Sequence, residues 1–340
     1  MVFIKPQSIS QHCPAYLVFS PVWLNFKSYK FLPCYICKHY FVACFYTGVF
    51  MTNLLTLAVL TLVLSACSLP SSEHKNLQNE NLSAKSNVWK EVFFDDFDHF
   101  NPGNWQDQMI WVNNEDQCYV PDNQFNTREV SAGTLKIRVI DLGEKRPCSN
   151  LSKHGEKHPD TQYVAGRIAT KNRKEFIKGK WTARLKVENS GQPGMFPAWW
   201  LLGALNNEAP VQEANETVCC PMTGSGEIDI FEHHADGGPD HYAARAITSL
   251  GYCDGGDWQA LMLVQAAKLS DYHEYSVEII GNNIIFRLDG IEVYRNEKDH
   301  DQFPEPLFAI LNFAKINDSA MTQNWTMEVD WVKHEVLIEQ

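Results

Sequence analysis

The stretch Trp181-Thr182-Ala183-Arg184-Leu185-Lys186-Val187-Glu188 changes character at every residue. Trp181, Ala183, Leu185 and Val187 fall on one side of an extended chain, and Thr182, Arg184, Lys186 and Glu188 on the other. Successive side chains of a strand point to opposite faces, so this pattern predicts a strand with one face in a core. The same period of two recurs in Leu135, Ile137 and Val139, in Ile284, Phe286 and Leu288, and in Met327, Val329 and Trp331. Asp289-Gly290 supplies a hairpin turn into Ile291. Only Trp258–Lys268 (WQALMLVQAAK) reads as a helix, and a short one. Many short strands separated by turn residues predict an all-β sandwich. No repeat of 20–50 residues and no internal boundary interrupts residues 88–340, which read as one domain.

Composition narrows the partners. Of 340 residues, 44% are hydrophobic and 21% charged, which excludes a disordered, collagenous or coiled-coil chain. The formal charge is −12, and the first 66 residues carry four lysines and no acid, leaving −16 on the rest. A body so acidic repels phosphate backbones, so nucleic acid is excluded as a partner while a neutral polymer is not. Ten Trp, 12 Tyr and 19 Phe provide surfaces suited to stacking on flat apolar faces.

Leu54–Ala66 (LLTLAVLTLVLSA) is too short to span a bilayer but suits the core of a secretory signal. It ends in Leu64-Ser65-Ala66-Cys67, which resembles the bacterial lipobox, in which Cys67 would be lipidated. Residues 1–50 then read as an upstream extension, consistent with a mis-assigned start, residues 51–66 as the signal, and 67–87 as a polar tether. A type II anchor spanning Phe41–Ala66 is the alternative, with Lys27, Lys30 and Lys38 as its positive flank. The expected location is the cell envelope, lipid-anchored in the outer membrane, or the extracellular space. Cys118, Cys148, Cys219, Cys220 and Cys253 lie in the body, where export permits disulfides but spacing does not assign them.

The chemistry concentrates in Gly226-Glu227-Ile228-Asp229-Ile230-Phe231-Glu232. In a regular strand Glu227 and Asp229 share a face and Glu232 points away. One extra residue, a β-bulge, returns Glu232 to their side. Aligned carboxylates raise one another's pKa. A row of them suits retaining glycoside hydrolysis, with Glu227 as nucleophile, Glu232 as acid/base, and Asp229 tuning both. Retention requires the two carboxyls to lie about 5–5.5 Å apart. On spacing alone, a solvated strand face and a Ca²⁺-binding acid cluster stay open.

The surroundings add specificity. Asn113-Asn-Glu-Asp-Gln-Cys-Tyr119, Gly194-Met-Phe-Pro-Ala-Trp-Trp-Leu-Leu-Gly203, Asp271-Tyr-His-Glu-Tyr275, Leu288-Asp-Gly290, Pro306–Asn312 and Val329-Asp-Trp-Val332 follow in order around the E-x-D-x-x-E motif. Together they resemble glycoside hydrolase family 16, the laminarinase and lichenase group, over about residues 92–336. The resemblance implies a concanavalin-like β-jelly roll of two curved antiparallel sheets with a polysaccharide cleft on the concave face. It implies Trp200 beside the cleaved sugar and Asn114 and Glu115 as polar cleft residues. Trp199 and His233 are further candidates for the cleft, although adjacent strand residues face opposite ways. Trp105, Trp111 and Trp258 either line outer subsites or pack, and His273 reads as structural. Catalysis needs no cofactor, and the calcium seen in some members would fall near Asp330.

The implied activity is endo-hydrolysis of β-glucan, with β-1,3-glucan first, by a monomer. Mixed-linkage glucan and marine galactans stay open, as do transglycosylation and a non-catalytic glycan-binding shell. The chain departs from the family in lacking a histidine in Ala246–Tyr252. Its closing loop is Lys315–Asp318, and it carries a long insert at Asn206–Thr223. These loops bear on substrate choice.

Overall fold

A computed structural model describes residues 87–339 apart from 213, 218–225, 236–237, 248–261, 266–267, 298–300 and 302. The extension, the signal, Cys67 and the tether up to residue 86 lie outside the described residues.

The described strands are, in chain order, β1 (Asn87–Asp95), β2 (Gln106–Asp107), β3 (Cys118–Tyr119), β4 (Arg128–Ser131), β5 (Thr134–Arg146) and β6 (Thr161–Ala165). Next come β7 (Arg167–Ala169), β8 (Glu175–Phe176), β9 (Gly179–Glu188), β10 (Met195–Gly203), β11 (Glu227–Glu232) and β12 (His241–Ile247). The last are β13 (Met262–Gln265), β14 (His273–Ile280), β15 (Asn283–Leu288), β16 (Ile291–Glu297), β17 (Leu307–Lys315) and β18 (Trp325–Glu339). One sheet runs β16-β15-β14-β9-β18-β5-β6-β3, with β1 on β18 and β4 on β5. The other runs β13-β12-β11-β10-β17-β7-β2, with β8 on β17. Apart from the parallel β3–β6 pair, neighbours are antiparallel. The fold is the expected all-β jelly-roll sandwich.

The period-two faces meet between the sheets. Trp181, Ala183, Leu185 and Val187 of β9 are buried, as are Leu135, Ile137 and Val139 of β5. They join one core with Trp199 and Leu201 of β10, Ile228 and Ile230 of β11, and Leu307, Ala309, Leu311 and Phe313 of β17. All nine residues of β17 are buried, because its second face carries Phe308 and Ile310 into a smaller apolar cluster with Leu202 and Trp200.

Two expectations from pattern are corrected. Trp331 does not continue the inward face of Met327 and Val329. A register shift between Val329 and Trp331 turns Val332 inward, and Trp331 packs instead on Phe94 at the surface, ring centroids 6.2 Å apart. Met262–Gln265, inside the stretch that read as a helix, is an edge strand paired with β12. A short apolar run fits either element, and pairing with an open sheet edge decided this one.

Candidate active site

Residues directly opposite each other in an antiparallel pair share a face, so the register of the second sheet places its side chains. One row crosses five strands as Ala169, Ile310, Trp200, Asp229 and Arg245. A second runs Arg167, Asn312, Ala198, Glu232, and a third runs Phe308, Leu202, Glu227. These rows lie on the face turned away from the other sheet.

The expected bulge is present. Asp229 opposes Trp200 and Phe231 opposes Trp199, so Ile230 is the extra residue of β11. The neighbouring strand registers the same irregularity between Asp229 and Glu232. Ile230 and Phe231 both enter the core. Glu227, Asp229 and Glu232 therefore share one side, where they line a cleft of about 870 Å³ with Arg245, Trp200, His234 and Asn312.

Charge in this row is tightly arranged. Arg245 Nε donates to Asp229 Oδ2 at 2.6 Å, and its Nη2 to Glu232 Oε1 at 3.0 Å. Glu227 and Asp229 hydrogen-bond through their carboxyls. Glu232 is 4% exposed, and its Oε2 has no hydrogen-bond partner within the protein. Burial, then the Asp229 charge, push the Glu232 carboxyl well above the usual range, against the opposing pull of Arg245. Burial also raises Asp229, but Arg245 and the Glu227 hydrogen bond hold its charged form. The Glu227–Asp229 hydrogen bond needs one proton, and burial beside Asp229 favours a further proton on Glu232, whose Oε2 is unbonded.

A second polar system positions Trp200. Its Nε1 donates to Asn312 Oδ1 at 2.8 Å, and Asn312 Nδ2 donates to the Tyr119 hydroxyl at 3.1 Å. That hydroxyl and Gln117 Nε2 both donate to Glu115 Oε2, at 3.1 and 2.8 Å. Burial raises the Glu115 carboxyl to about 7 despite Arg167 and these donors. Arg167 lies 5.0 Å from the Trp200 ring centroid and is held by Gln108 and Glu208. Lys171, fully buried, bonds the carbonyls of Asn206 and Glu208 and pairs with Glu216 at 2.5 Å. The loop that follows β10 is thereby tied to the end of the cleft it lines.

Among the sequence candidates, Glu227, Asp229, Glu232, Trp200, Asn114 and Glu115 come together around the cleft. Trp199 does not. It opposes Phe231, is fully buried, and meets Trp181 edge-on with ring centroids 6.0 Å apart. His233 is also turned away. It is fully buried, with Nδ1 2.7 Å from the His241 carbonyl oxygen and Nε2 2.6 Å from that of Ser190. Its neighbour His234 lines the cleft instead, stacked on Phe196 at 4.3 Å. Trp111 lines the cleft, Trp105 is buried against Asp95, and Trp258 lies outside the described residues. His273 bonds Asp289 and the Lys268 carbonyl, a structural placement. Asp330 is ion-paired with Arg184, and the described residues hold no group of three or more His, Cys, Asp or Glu that could hold a metal ion.

Arg245 and Arg167 were not singled out from sequence. Each is the lone charge in an apolar strand segment, Ala243-Ala-Arg-Ala-Ile247 and Val164-Ala-Gly-Arg-Ile168. A cation there demands a buried anionic partner, and that signal was legible.

The sequence model of the glycosyl hydrolases family 16 matches residues 106–333. No curated protein matches the chain. Among solved structures, the endo-1,3-β-glucanase (laminarinase) catalytic domain of Thermotoga petrophila is 22% identical, covers 74% of this chain and 98% of its own, and superposes with a TM-score of 0.58. A LamA variant of Zobellia galactanivorans in complex with laminaritriose and laminaritetraose is 25% identical, covering 72% and 98%, with a TM-score of 0.60. The endo-β-1,3-glucanase of Pyrococcus furiosus is 20% identical, covering 74% and 96%, with a TM-score of 0.59. With an acid row of this geometry on this fold, and a match over more than half its length, the chain belongs to the glycosyl hydrolases family 16 and is a glycoside hydrolase.

Proposed function

We propose that this enzyme is an endo-acting, retaining β-glucanase that cleaves β-1,3-glucan. The carboxylate of Glu227 attacks the anomeric carbon while Glu232 donates its proton to the leaving oxygen. Water, deprotonated by Glu232, then resolves the glycosyl-enzyme. Asp229 shares a proton with the nucleophile through their hydrogen bond, and Arg245 orients Asp229 and Glu232 Oε1 while leaving Glu232 Oε2 free. Trp200 offers its face to the sugar ring.

The observation that carries this reading is Glu232. It is a buried carboxyl with a raised pKa, one oxygen engaged by Arg245 and the other unbonded on a cleft wall. That is the state a general acid requires. The preference for β-1,3-glucan draws on the LamA relative bound to laminaritriose and laminaritetraose. Glu227→Gln and Glu232→Gln should each abolish release of reducing ends from laminarin while binding to it on an affinity gel survives. Hydrolysis by Glu227→Gln at the wild-type rate, or products of inverted configuration by proton NMR, would refute the mechanism. A panel of mixed-linkage glucan and galactans tests the substrate separately.

We also infer export, with Cys67 lipidated and the enzyme held at the cell envelope. The Leu54–Cys67 segment supports this, as does the Cys118–Cys148 disulfide, since disulfides persist in oxidising compartments. A Cys67→Ser variant should lose the lipid and leave the membrane fraction; unchanged retention would favour the type II anchor.

A further inference from the structure

A second, smaller hollow of about 390 Å³ adjoins the main cleft and shares Met109 and Ser149 with it. Its lining includes none of Glu227, Asp229 and Glu232. Its walls include Phe125 and Met109, which are 44% and 46% exposed, large apolar groups left in solvent. Its floor is an apolar cluster built on the Cys118–Cys148 disulfide, with Val164 buried and Val120 and Leu142 packed against it. Polar groups ring the plate: Gln124, Ser149 and Arg146, whose guanidinium lies 5.9 Å from the Phe125 ring centroid.

The backbone beneath Phe125 is unusual. Asp122, Asn123, Phe125 and Asn126 all have positive φ, and at Phe125 φ is 57°. Asn and Asp tolerate this region, but a bulky aromatic there is an outlier that costs of order 1–3 kcal/mol. Nothing in the core repays that cost, since Phe125 is exposed. Strain of this kind that presents an exposed ring points to a ligand.

We propose that this hollow is a remote subsite for the substrate chain, in which Phe125 and Met109 stack on a sugar ring leaving the main cleft and Arg146 and Gln124 bond its hydroxyls. The occupant is the neutral polysaccharide of the cleft, because Met109 and Ser149 line both hollows and a chain running past them from one reaches the other. An apolar plate rimmed by a few donors is the chemistry that recognises a pyranose. The inference rests on the glycan reading of the cleft. It adds that affinity depends on chain length.

The test compares wild type with Phe125→Gly, which removes ring and strain together, and with Arg146→Ala. For long polymer, KM should rise about five- to tenfold in Phe125→Gly and less in Arg146→Ala, with kcat unchanged. On a short oligosaccharide confined to the acid end, both constants should stay at wild-type values. The melting temperature of Phe125→Gly should hold or rise, whereas a purely structural Phe125 would lower it. An unchanged KM for polymer in Phe125→Gly, or an equal rise for short and long substrates, overturns the subsite. The substrate is whichever polymer of the panel the wild type cleaves, so failure on laminarin overturns the β-1,3-glucan reading alone. A wild type that cleaves no neutral polymer overturns both.

Discussion

Replacing Arg245 by leucine removes the cation that bonds Asp229 and Glu232 directly. Its Nη2 meets Glu232 Oε1 at 3.0 Å and its Nε meets Asp229 Oδ2 at 2.6 Å, with the guanidinium side chain 24% exposed. A hydrogen bond to a charged group contributes about 1.5–3 kcal/mol. At about 1.4 kcal/mol per pKa unit, losing it raises the proton affinity of Glu232 by roughly one to two units. Asp229 gains proton affinity too, and because the three acids titrate as a set, every macroscopic pKa of the set moves upward. The alkaline limb of kcat/KM reports loss of the acid's proton, so that limb should shift to higher pH by about one to two units. Peak activity should fall, since Asp229 and Glu232 lose the guanidinium that orients both carboxyls. The sign for stability follows from the same groups. Their folded pKa values, raised further, leave stability intact below the usual carboxylate range and lose it as pH rises through the folded values. The deficit of Arg245→Leu should therefore be small near pH 4 and approach about 3 kcal/mol at neutral pH. Reducing-end assays from pH 4 to 9, with urea melts at matched pH, measure both. An alkaline limb that stays put or moves to lower pH in a folded variant would refute the assignment of Glu232 as a proton holder opposed by Arg245.

The paired tryptophans should separate cleanly. Trp199→Ala empties a fully buried site and should cost about 3–5 kcal/mol, whereas Trp200→Ala, at a half-buried ring, should cost less and raise KM for glucan. Glu305, 6% exposed, accepts from Gly226 N at 3.0 Å and Leu205 N at 3.2 Å, tying down the residue before Glu227. Burial raises its carboxyl to about 7, so its stabilising contribution is complete below about pH 4.5 and lost as pH rises through 7. Glu305→Gln should flatten that slope in urea melts from pH 4 to 8 and lower kcat. Cys118→Ser/Cys148→Ser, opening a loop with a sequence separation of 30, should cost about 3.5 kcal/mol in the chain-entropy account; an unchanged melting temperature would sink that estimate.

Much of the acid site was legible in the chain. The triplet Glu227, Asp229, Glu232 can face one way only with a bulge, and the apolar Ile230-Phe231 pair between the last two marks where the extra residue goes. Alternation announced β5, β9 and β15, because a half-buried strand writes its two environments into successive residues. It misplaced Trp331, since a bulge at Asp330 inverts parity without leaving a mark in composition. It could not separate a short apolar edge strand from a helix at Met262–Gln265.

The amino-acid order alone determined that the body is a β-sandwich carrying a row of carboxylates, because side-chain parity is local. Which tryptophan and which histidine of each adjacent pair meets the cleft was decided only by pairing. Trp200 stands opposite Asp229 and Trp199 opposite Phe231, a register that involves strands distant in sequence. The cations that set the acids' proton affinities, Arg245 and Arg167, arrive from β12 and β7 by the same cross-strand rows. Charge tuning is a matter of a few ångströms between residues that share no sequence neighbourhood, and only the folded sheet supplies it.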